Sequence, residues 1–174
     1  MKIKLYVDFD GVVLNTIDIT YKILNDLKLN DTEEIEKFYK NLNWEELLDK
    51  CVPINDSINN LKKIIKSNLY DVSILSHVTC ENEELAKKRY LDKHIPDLEV
   101  VTVDIKLNKC DVVDCKNAIL VDDYMGNLNL WHAKGGIAVK FSDKGKNYEY
   151  ITISSLDMLI DKYREIGDLI SLKQ

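Results

Sequence analysis

The chain has 174 residues, enough for one domain with a modest insertion but not for a second full domain. A net charge of −6 argues against binding to a nucleic-acid polymer, and 45% hydrophobic content with two prolines argues against long disordered linkers. No apolar run approaches the roughly 18 residues that cross a bilayer. Four cysteines without a Cys-X-X-Cys pair indicate reduced thiols, and the chain starts with a strand pattern. We therefore expect a cytoplasmic protein with no signal peptide and no membrane partner.

The first predicted strand ends in two acids and a glycine. Residues 3–7 form a short apolar run rich in β-formers, and Asp8, Asp10 and Gly11 follow it. If the strand continues straight on, the two acids share one face. Two carboxylates held close repel each other unless a cation or a shared proton intervenes, and a hard cation such as Mg²⁺ would remove that repulsion. The alternative for these residues alone is an acidic strand end that runs into a turn.

Residues 15–55 carry helical patterns rather than strand patterns. Amphipathic segments follow one another until Pro53 ends the last of them. We predict that 15–55 form a small helical cap inserted after the first strand. The core domain would then consist of residues 1–14 and 56–174.

From residue 70 onwards, strand patterns alternate with helical ones. The later strand candidates are residues 72–76, 98–103, 118–121 and 137–141. The predicted helices are residues 81–93, 109–114, 127–134 and a terminal helix after residue 155. This alternation predicts an α/β fold with a parallel sheet and right-handed crossovers.

Polar residues follow three of the predicted strands. They are Asp8 and Asp10 after the first, Ser76 after the second, and Asp122 and Asp123 after the fourth. Since the carboxyl ends of parallel strands share one edge of the sheet, we expect these side chains to meet there. Carboxylates can hold Mg²⁺, while a hydroxyl, backbone N–H groups and a lysine can hold a phosphoryl group.

This order of motifs resembles the haloacid dehalogenase-like (HAD) phosphohydrolase superfamily. Val7-Asp8-Phe9-Asp10-Gly11-Val12 matches its first motif, Ile74-Leu75-Ser76 its second and Ile119-Leu120-Val121-Asp122-Asp123 its fourth. The lone lysine of the third motif is Lys109 or Lys106, and we prefer Lys109 because it opens the short helical stretch before the fourth motif. The resemblance covers nearly the whole chain. It implies a three-layer, Rossmann-like parallel sheet flanked by helices.

The resemblance also implies a Mg²⁺-dependent phosphomonoester hydrolase that acts through an aspartyl-phosphate. Asp8 would be the nucleophile, and Asp10 would act first as general acid and then as general base. The metal would be bound by the Asp8 carboxylate, the Asp10 backbone carbonyl and an acid of the fourth motif. In the paired acids of the family the second is the more frequent ligand, so Asp123 is favoured over Asp122.

The remaining roles concern the phosphoryl group. Ser76 would hydrogen-bond a phosphoryl oxygen, together with the backbone N–H groups of Gly11 and His77. Lys109 would neutralise charge and orient the nucleophile. Asn127 is expected to shape the turn after the fourth motif rather than to bind anything.

The Asp-Phe-Asp-Gly-Val and Val-Asp-Asp-Tyr segments, with the helical insert, resemble the 5′(3′)-deoxyribonucleotidase-like branch of that superfamily. This implies a small phosphorylated substrate, with a deoxynucleoside monophosphate as one candidate. Phe38, Tyr39 and Trp44 of the insert could stack on a base, although aromatics at helical spacing more often belong to a core. Two alternatives stay open: a non-catalytic phosphate- or nucleotide-binding module of the same fold, and a HAD phosphatase for a non-nucleotide metabolite.

Overall fold

The computed structural model describes residues 2–142 and 148–171, and strands within these ranges form one parallel sheet. The strands are β1 Ile3–Val7, β2 Tyr70–Val78, β3 Glu99–Asp104, β4 Ile119–Asp122, β5 Ile137–Phe141 and β6 Ile151–Ile153. Their order in space is β3-β2-β1-β4-β5-β6, so the chain starts in the middle and builds outward on both sides. This is a Rossmann-like order, with a switch point between β1 and β4. The predicted α/β fold is confirmed.

Helices connect the strands and cover the sheet. They are α1 Thr16–Asp26, α2 Thr32–Asn41, α3 Trp44–Lys50, α4 Ser57–Ser67, α5 Glu81–His94, α6 Lys109–Val112, α7 Met125–Ala133, α8 Met158–Asp161 and α9 Tyr163–Ser171. A short 3₁₀ turn, Ile54–Asp56, precedes α4. None of the helices in the described ranges is long and apolar enough to cross a bilayer.

Alternate residues of β1 point to opposite faces of the sheet, which creates the three layers. Leu5 and Val7 are fully buried in a cluster with apolar side chains of α3, α4, α5, α8 and α9. Tyr6 lies in a second cluster on the other face, together with Leu120 and with Trp131 of α7. The sheet is therefore buried on both sides, as parallel sheets require.

The register of the central strands brings their carboxyl ends to one edge. Val7, the last residue of β1, pairs with Ile74 of β2 and with Val121 of β4. The residues that follow these three positions along each strand therefore emerge side by side. That edge is where the strand-end acids and the serine meet.

The two ends of the 15–55 segment lie beside each other. The Asn15 N–H donates to the Val52 carbonyl (3.3 Å), the Asn15 side chain accepts from the Val52 N–H (2.7 Å), and the Ile54 N–H donates to the Val13 carbonyl (3.0 Å). Helix α3 nevertheless buries its apolar side chains in the same cluster as the sheet. The segment thus leaves and rejoins the core at one point, and its status as a separate cap stays a prediction.

Some elements differ from the sequence pattern. Strand β6 was not predicted, because three residues are too few to establish a period-2 pattern. Strand β2 extends to Val78, two residues past Ser76. The single terminal helix expected after residue 155 is divided into α8 and α9.

Candidate active site

The carboxyl edge of β1, β2 and β4 borders a cavity of about 550 Å³. The predicted site residues that line it are Asp8, Asp10, His77 and Asp123. Ser76, Lys109 and Asp122 are almost fully buried. Ser76 and Lys109 contact the lining acids Asp10 and Asp8, and Asp122 accepts from Lys109. The structure thus brings these predicted residues together around one cavity.

Lys109 joins the acids of β1 and β4. Its ammonium nitrogen lies 2.8 Å from Asp8 Oδ1 and 2.7 Å from Asp122 Oδ2, and its side chain is 2% exposed. It begins the short helix α6, whose N-cap residue Asn108 forms a capping box. Lys106 lies at the surface. Of the two candidate lysines, Lys109 is the one that reaches the acids.

The oxygens of Asp122 are both occupied by protein donors. Oδ1 accepts the N–H of Tyr124 (2.8 Å), and Oδ2 accepts from Lys109 (2.7 Å) and from the Asn127 amide (2.9 Å). Asp122 therefore holds the start of α7 and the lysine in place. Asn127 does more than shape the turn after the strand, because its amide bonds this acid directly.

Asp8, Asp122 and Asp123 form a group of carboxylates whose oxygens lie within 4.8 Å of one another. In contrast to Asp122, the Asp123 carboxylate receives no hydrogen bond from any donor in residues 2–142 and 148–171. Burial, helped by the charge of Asp122, raises the pKa of Asp123 to about 6. Oxygen ligands close together, with uncompensated negative charge, are what Mg²⁺ prefers, so the residues present fit this ion.

Asp8 is buried among charged groups of both signs. Burial raises the pKa of its carboxyl well above the usual range, and the charges of Asp122, Asp10 and Asp123 add to this against the opposing charge of Lys109. The pKa of Lys109 is itself raised, because its acidic partners outweigh the effect of burial. A cation among the carboxylates would favour the ionised form of Asp8.

Asp10 is held by donors from three elements. Thr16 Oγ1 of α1 donates to Oδ1 (2.6 Å), while Lys87 Nζ of α5 (2.5 Å) and Ser76 Oγ of β2 (3.2 Å) donate to Oδ2. Lys87 is fully buried and also lies 2.7 Å from Glu83. Burial by itself lowers the pKa of Lys87, but Asp10 and Glu83 more than offset it, so the pKa is raised. Donors from three elements therefore hold both oxygens of Asp10 in place.

The sequence reasoning missed Thr16 and Lys87. Glu83 and Lys87 are spaced i, i+4, the usual spacing of an exposed helical ion pair. The available signal is Leu91, which lies four residues further along the same face of α5 and is fully buried. An apolar residue four positions after Lys87 indicates that this face of α5 is buried.

The remaining predicted phosphate ligands lie beside these groups. Ser76 is fully buried, and its hydroxyl also accepts from Lys87 (3.1 Å). His77 is half-buried, and its Nε2 donates to the carbonyl of Leu107 (3.0 Å). Burial, with the nearby charge of Lys109, lowers the pKa of His77, so its ring is neutral at pH 7.

Gly11 occupies a position that other residues would strain. Its φ is +74°, and a Cβ there would overlap the Asp123 carboxylate. Its N–H donates to the Leu14 carbonyl at 2.8 Å in this structure. The positive φ and the space that the Asp123 carboxylate needs explain why a glycine stands here. The part of Gly11 in phosphate binding stays a prediction.

Aromatic side chains form part of the cavity wall. Tyr39 and Trp44 both line it and stack on each other, with ring centroids 5.9 Å apart. Trp44 is only 5% exposed, whereas Tyr21 and Tyr124 also line the cavity and are well exposed. Phe38 lines a different cavity, formed by α2 and residues that flank it.

No known protein family and no curated protein matches the sequence. Solved structures do match. A hydrolase from Pseudomonas syringae has a TM-score of 0.62 at 11% identity and covers 95% of this chain and 99% of its own. A HAD hydrolase of family IA, variant 3, from Entamoeba histolytica has a TM-score of 0.62 at 11% identity, with 98% and 100% covered. A HAD phosphatase from Thermococcus onnurineus has a TM-score of 0.57 at 19% identity, with 96% and 98% covered.

These neighbours show the fold of the chain. The chain has the α/β fold of HAD-superfamily hydrolases over nearly its whole length. The predicted resemblance is confirmed at this level. The narrower resemblance to the 5′(3′)-deoxyribonucleotidase-like branch stays a prediction.

Proposed function

We propose that this protein is a Mg²⁺-dependent phosphomonoester hydrolase that forms an aspartyl-phosphate on Asp8. The supporting observation is that Asp8 lines the cavity between a lysine at 2.8 Å and the carboxylate of Asp123, which receives no protein donor within the described ranges. Such a site combines a nucleophile, a fixed positive charge and room for a cation. The phosphatase and hydrolases among the structural neighbours are in keeping with this activity.

The carboxylates of Asp8 and Asp123 and the backbone carbonyl of Asp10 would hold the ion. When bound, Mg²⁺ supplies positive charge that stabilises the negative charge on the phosphoryl group during transfer. Asp122 has a different task, because its oxygens accept from Lys109, Asn127 and the Tyr124 N–H. It orients the lysine that in turn orients Asp8.

In the first step, an Asp8 oxygen attacks phosphorus. The bond from Asp8 to phosphorus forms, and the bond from phosphorus to the ester oxygen breaks. Lys109 donates to Oδ1 of Asp8, which leaves the other oxygen for the attack. Asp10 in its protonated form gives its proton to the leaving oxygen, so that an alcohol departs rather than an alkoxide.

In the second step, water releases the phosphate. Asp10, now ionised, takes a proton from the water as the water oxygen bonds to phosphorus. The bond between phosphorus and Asp8 then breaks, which yields inorganic phosphate and restores the Asp8 carboxylate. Thr16 and Lys87 donate to the two oxygens of Asp10 and hold its carboxylate in place between the two steps.

We further propose a small monophosphate as substrate, with a nucleoside monophosphate as the leading candidate. Four aromatic side chains line the cavity, and two of them, Tyr21 and Tyr124, are exposed enough to meet a planar base. In purified protein, a phosphate-release screen with Mg²⁺ over nucleotides, sugar phosphates and small phosphorylated metabolites tests this. Tyr21→Ala and Tyr124→Ala should raise KM for a nucleotide and leave it unchanged for a small alkyl phosphate.

Asp8→Asn tests the nucleophile. We expect phosphate release to fall by at least about 1000-fold, because the covalent route is lost. Activity that survives this change would contradict the assignment of Asp8. Binding of phosphomonoesters without turnover by the wild type across the whole screen would favour the non-catalytic binding module instead.

Asp10→Asn distinguishes the role of Asp10 from that of Asp8. We expect turnover to fall by about 100-fold or more, because general acid–base catalysis is lost. Mg²⁺ affinity, measured by calorimetry, should change little, since Asp10 would give the ion only its backbone carbonyl. Loss of Mg²⁺ binding in this variant would show that the Asp10 side chain is a ligand.

A further inference from the structure

A buried ammonium group lies behind Asp10. Lys87 is fully buried, and its nitrogen lies 2.5 Å from Asp10 Oδ2 and 2.7 Å from Glu83 Oε1. It also donates to the hydroxyl of Ser76 (3.1 Å) and to the carbonyl of His77 (2.9 Å). The lysine thus connects α5 to the carboxyl ends of β1 and β2.

A fold does not in general need a charge at a buried position. A buried ion pair is costly to desolvate, and apolar residues of similar volume often replace one without loss of stability. The ammonium group itself lies beside aromatic rings, with its nitrogen 5.4 Å from the ring centroid of Phe9 and 5.9 Å from that of Trp44. A methionine could fill this space. The charge therefore needs another explanation.

The two oxygens of Asp10 have different partners. Oδ2 accepts from Lys87 and Ser76, and neither of these residues lines the cavity. Oδ1 accepts from Thr16, which does line it. The ammonium group thus anchors one oxygen on the buried side, and this directs the other towards the space where an ester would bind.

We propose that Lys87 is a positioning residue that aims Oδ1 of Asp10 at the leaving oxygen of the substrate. This inference rests on the proposed function and adds a residue to it. Without Lys87, Oδ2 of Asp10 loses its shorter contact and keeps only the longer hydrogen bond to Ser76, so the carboxyl is held less firmly and rotates more. Proton transfer needs hydrogen-bond distance and alignment, so a rotating carboxyl protonates the leaving oxygen less well.

The test compares two esters of similar shape. The 4-nitrophenolate ion leaves 4-nitrophenyl phosphate without a proton, whereas the alkoxide of 4-nitrobenzyl phosphate must be protonated. The value of kcat/KM reports the steps up to formation of the phosphoenzyme, in which Asp10 acts as the acid. The variant is Lys87→Met with Glu83→Gln, which removes both charges of the pair and leaves no carboxylate unpaired at position 83.

We expect kcat/KM for 4-nitrobenzyl phosphate to fall by at least about 10-fold more than for 4-nitrophenyl phosphate. Asp10→Asn should show the same selective loss. When the Lys87 and Glu83 changes are added to Asp10→Asn, the ratio of the two kcat/KM values should not change further. The effects of substitutions that act through the same group are not additive. Equal losses for the two esters, or no loss, would overturn the positioning role and leave the proposed function intact. If the wild type releases phosphate from no compound of the wider screen, these two esters included, the proposed function fails and this inference fails with it.

A control on the same helix separates positioning from charge removal. Lys88→Met with Glu84→Gln deletes an i, i+4 pair one residue further along, where the two side chains are 43% and 33% exposed. We expect the ratio of the two kcat/KM values to stay that of the wild type. Circular dichroism and thermal unfolding verify folding of each variant. If the Lys87 and Glu83 double variant does not fold, Lys87→Gln, which keeps a neutral donor, is assessed by the same ratio.

Discussion

Lys109 and Lys87 are both buried and both bind carboxylates of the site, but they differ in what surrounds them. Lys109 lies between Asp8 and Asp122, whose side chains are 10% and 0% exposed. Lys87 binds Asp10, whose side chain is 23% exposed and reaches the cavity. Each lysine has an acidic partner that lines the cavity, but Asp10 is more exposed there than Asp8.

This difference indicates two separate tasks. The acids around Lys109 form the group that would hold the nucleophile and the metal. Asp10, which Lys87 binds, is the acid that would transfer protons. Its carboxylate must therefore be oriented but still accessible. We therefore expect changes at the two lysines to affect different steps of the reaction and to differ in their effect on stability.

The largest expected effect is that of Lys109→Met. It leaves Asp8 and Asp122 without their shared cation, which for a buried pair costs about 3–5 kcal/mol of unfolding free energy. We expect kcat/KM to fall by about 100-fold or more for 4-nitrophenyl and 4-nitrobenzyl phosphate alike, because the nucleophile itself is misplaced. Urea unfolding and steady-state kinetics measure both quantities.

Lys106→Met is the matched control, because this lysine lies three residues away at the surface. Its activity and stability should equal those of the wild type. A loss of activity in this variant, with Lys109→Met unaffected, would reverse the assignment of the two lysines. If Lys109→Met lowers kcat/KM for 4-nitrobenzyl phosphate more than for 4-nitrophenyl phosphate, the two lysines no longer differ in role.

A smaller effect is expected at the metal site. Asp123→Asn should raise the Mg²⁺ concentration for half-maximal activity by about 10-fold or more, since a direct ligand is lost. Asp122→Asn should raise it less, because the oxygens of Asp122 are occupied by Lys109, Asn127 and a backbone N–H. Mg²⁺ titrations of activity and calorimetry test this order, and equal shifts would contradict it.

The smallest expected effect is on the pH dependence of stability without divalent cations. The pKa of Asp123 is raised to about 6, from about 4 in an unfolded chain. The folded protein therefore keeps this proton over a range in which the unfolded chain has lost it. The unfolding free energy of the wild type relative to Asp123→Asn should fall as pH rises from about 4 to about 6, and be constant above that range. Urea unfolding in a chelator at several pH values measures the difference, and the opposite slope would contradict the raised pKa.

Much of the site could be predicted because its information is local. A β-rich run that ends in polar residues marks a strand end, and alternation with helices predicts that the strands are parallel. These two facts place Asp8, Ser76 and Asp122 at one edge before any contact is known. The short strand β6 escaped prediction for the opposite reason, since its three residues carry too little local pattern.

Other features depend on packing between distant segments. The choice between Lys109 and Lys106 is decided by where the capped helix α6 begins, and the preference for Lys109 agrees with the contacts that the structure gives it. Lys87 lies 77 residues from Asp10 in the chain, so no local pattern connects them. Its spacing from Glu83 is equally suited to a surface helix, and only the packing of α5 against the sheet buries it.

The sequence by itself determined the parallel α/β fold and the set of acids at its carboxyl edge, because strand periodicity and the direction of parallel strands are encoded over a few residues. The tertiary structure alone decided which oxygens of those acids are already occupied. Both oxygens of Asp122 accept from neighbouring donors, and Lys87 holds one oxygen of Asp10 on the buried side. The Asp123 carboxylate takes no protein donor from the described residues. These differences arise from side chains that converge from separate helices and strands, and hydrogen bonding between them depends on distances that only the folded chain sets.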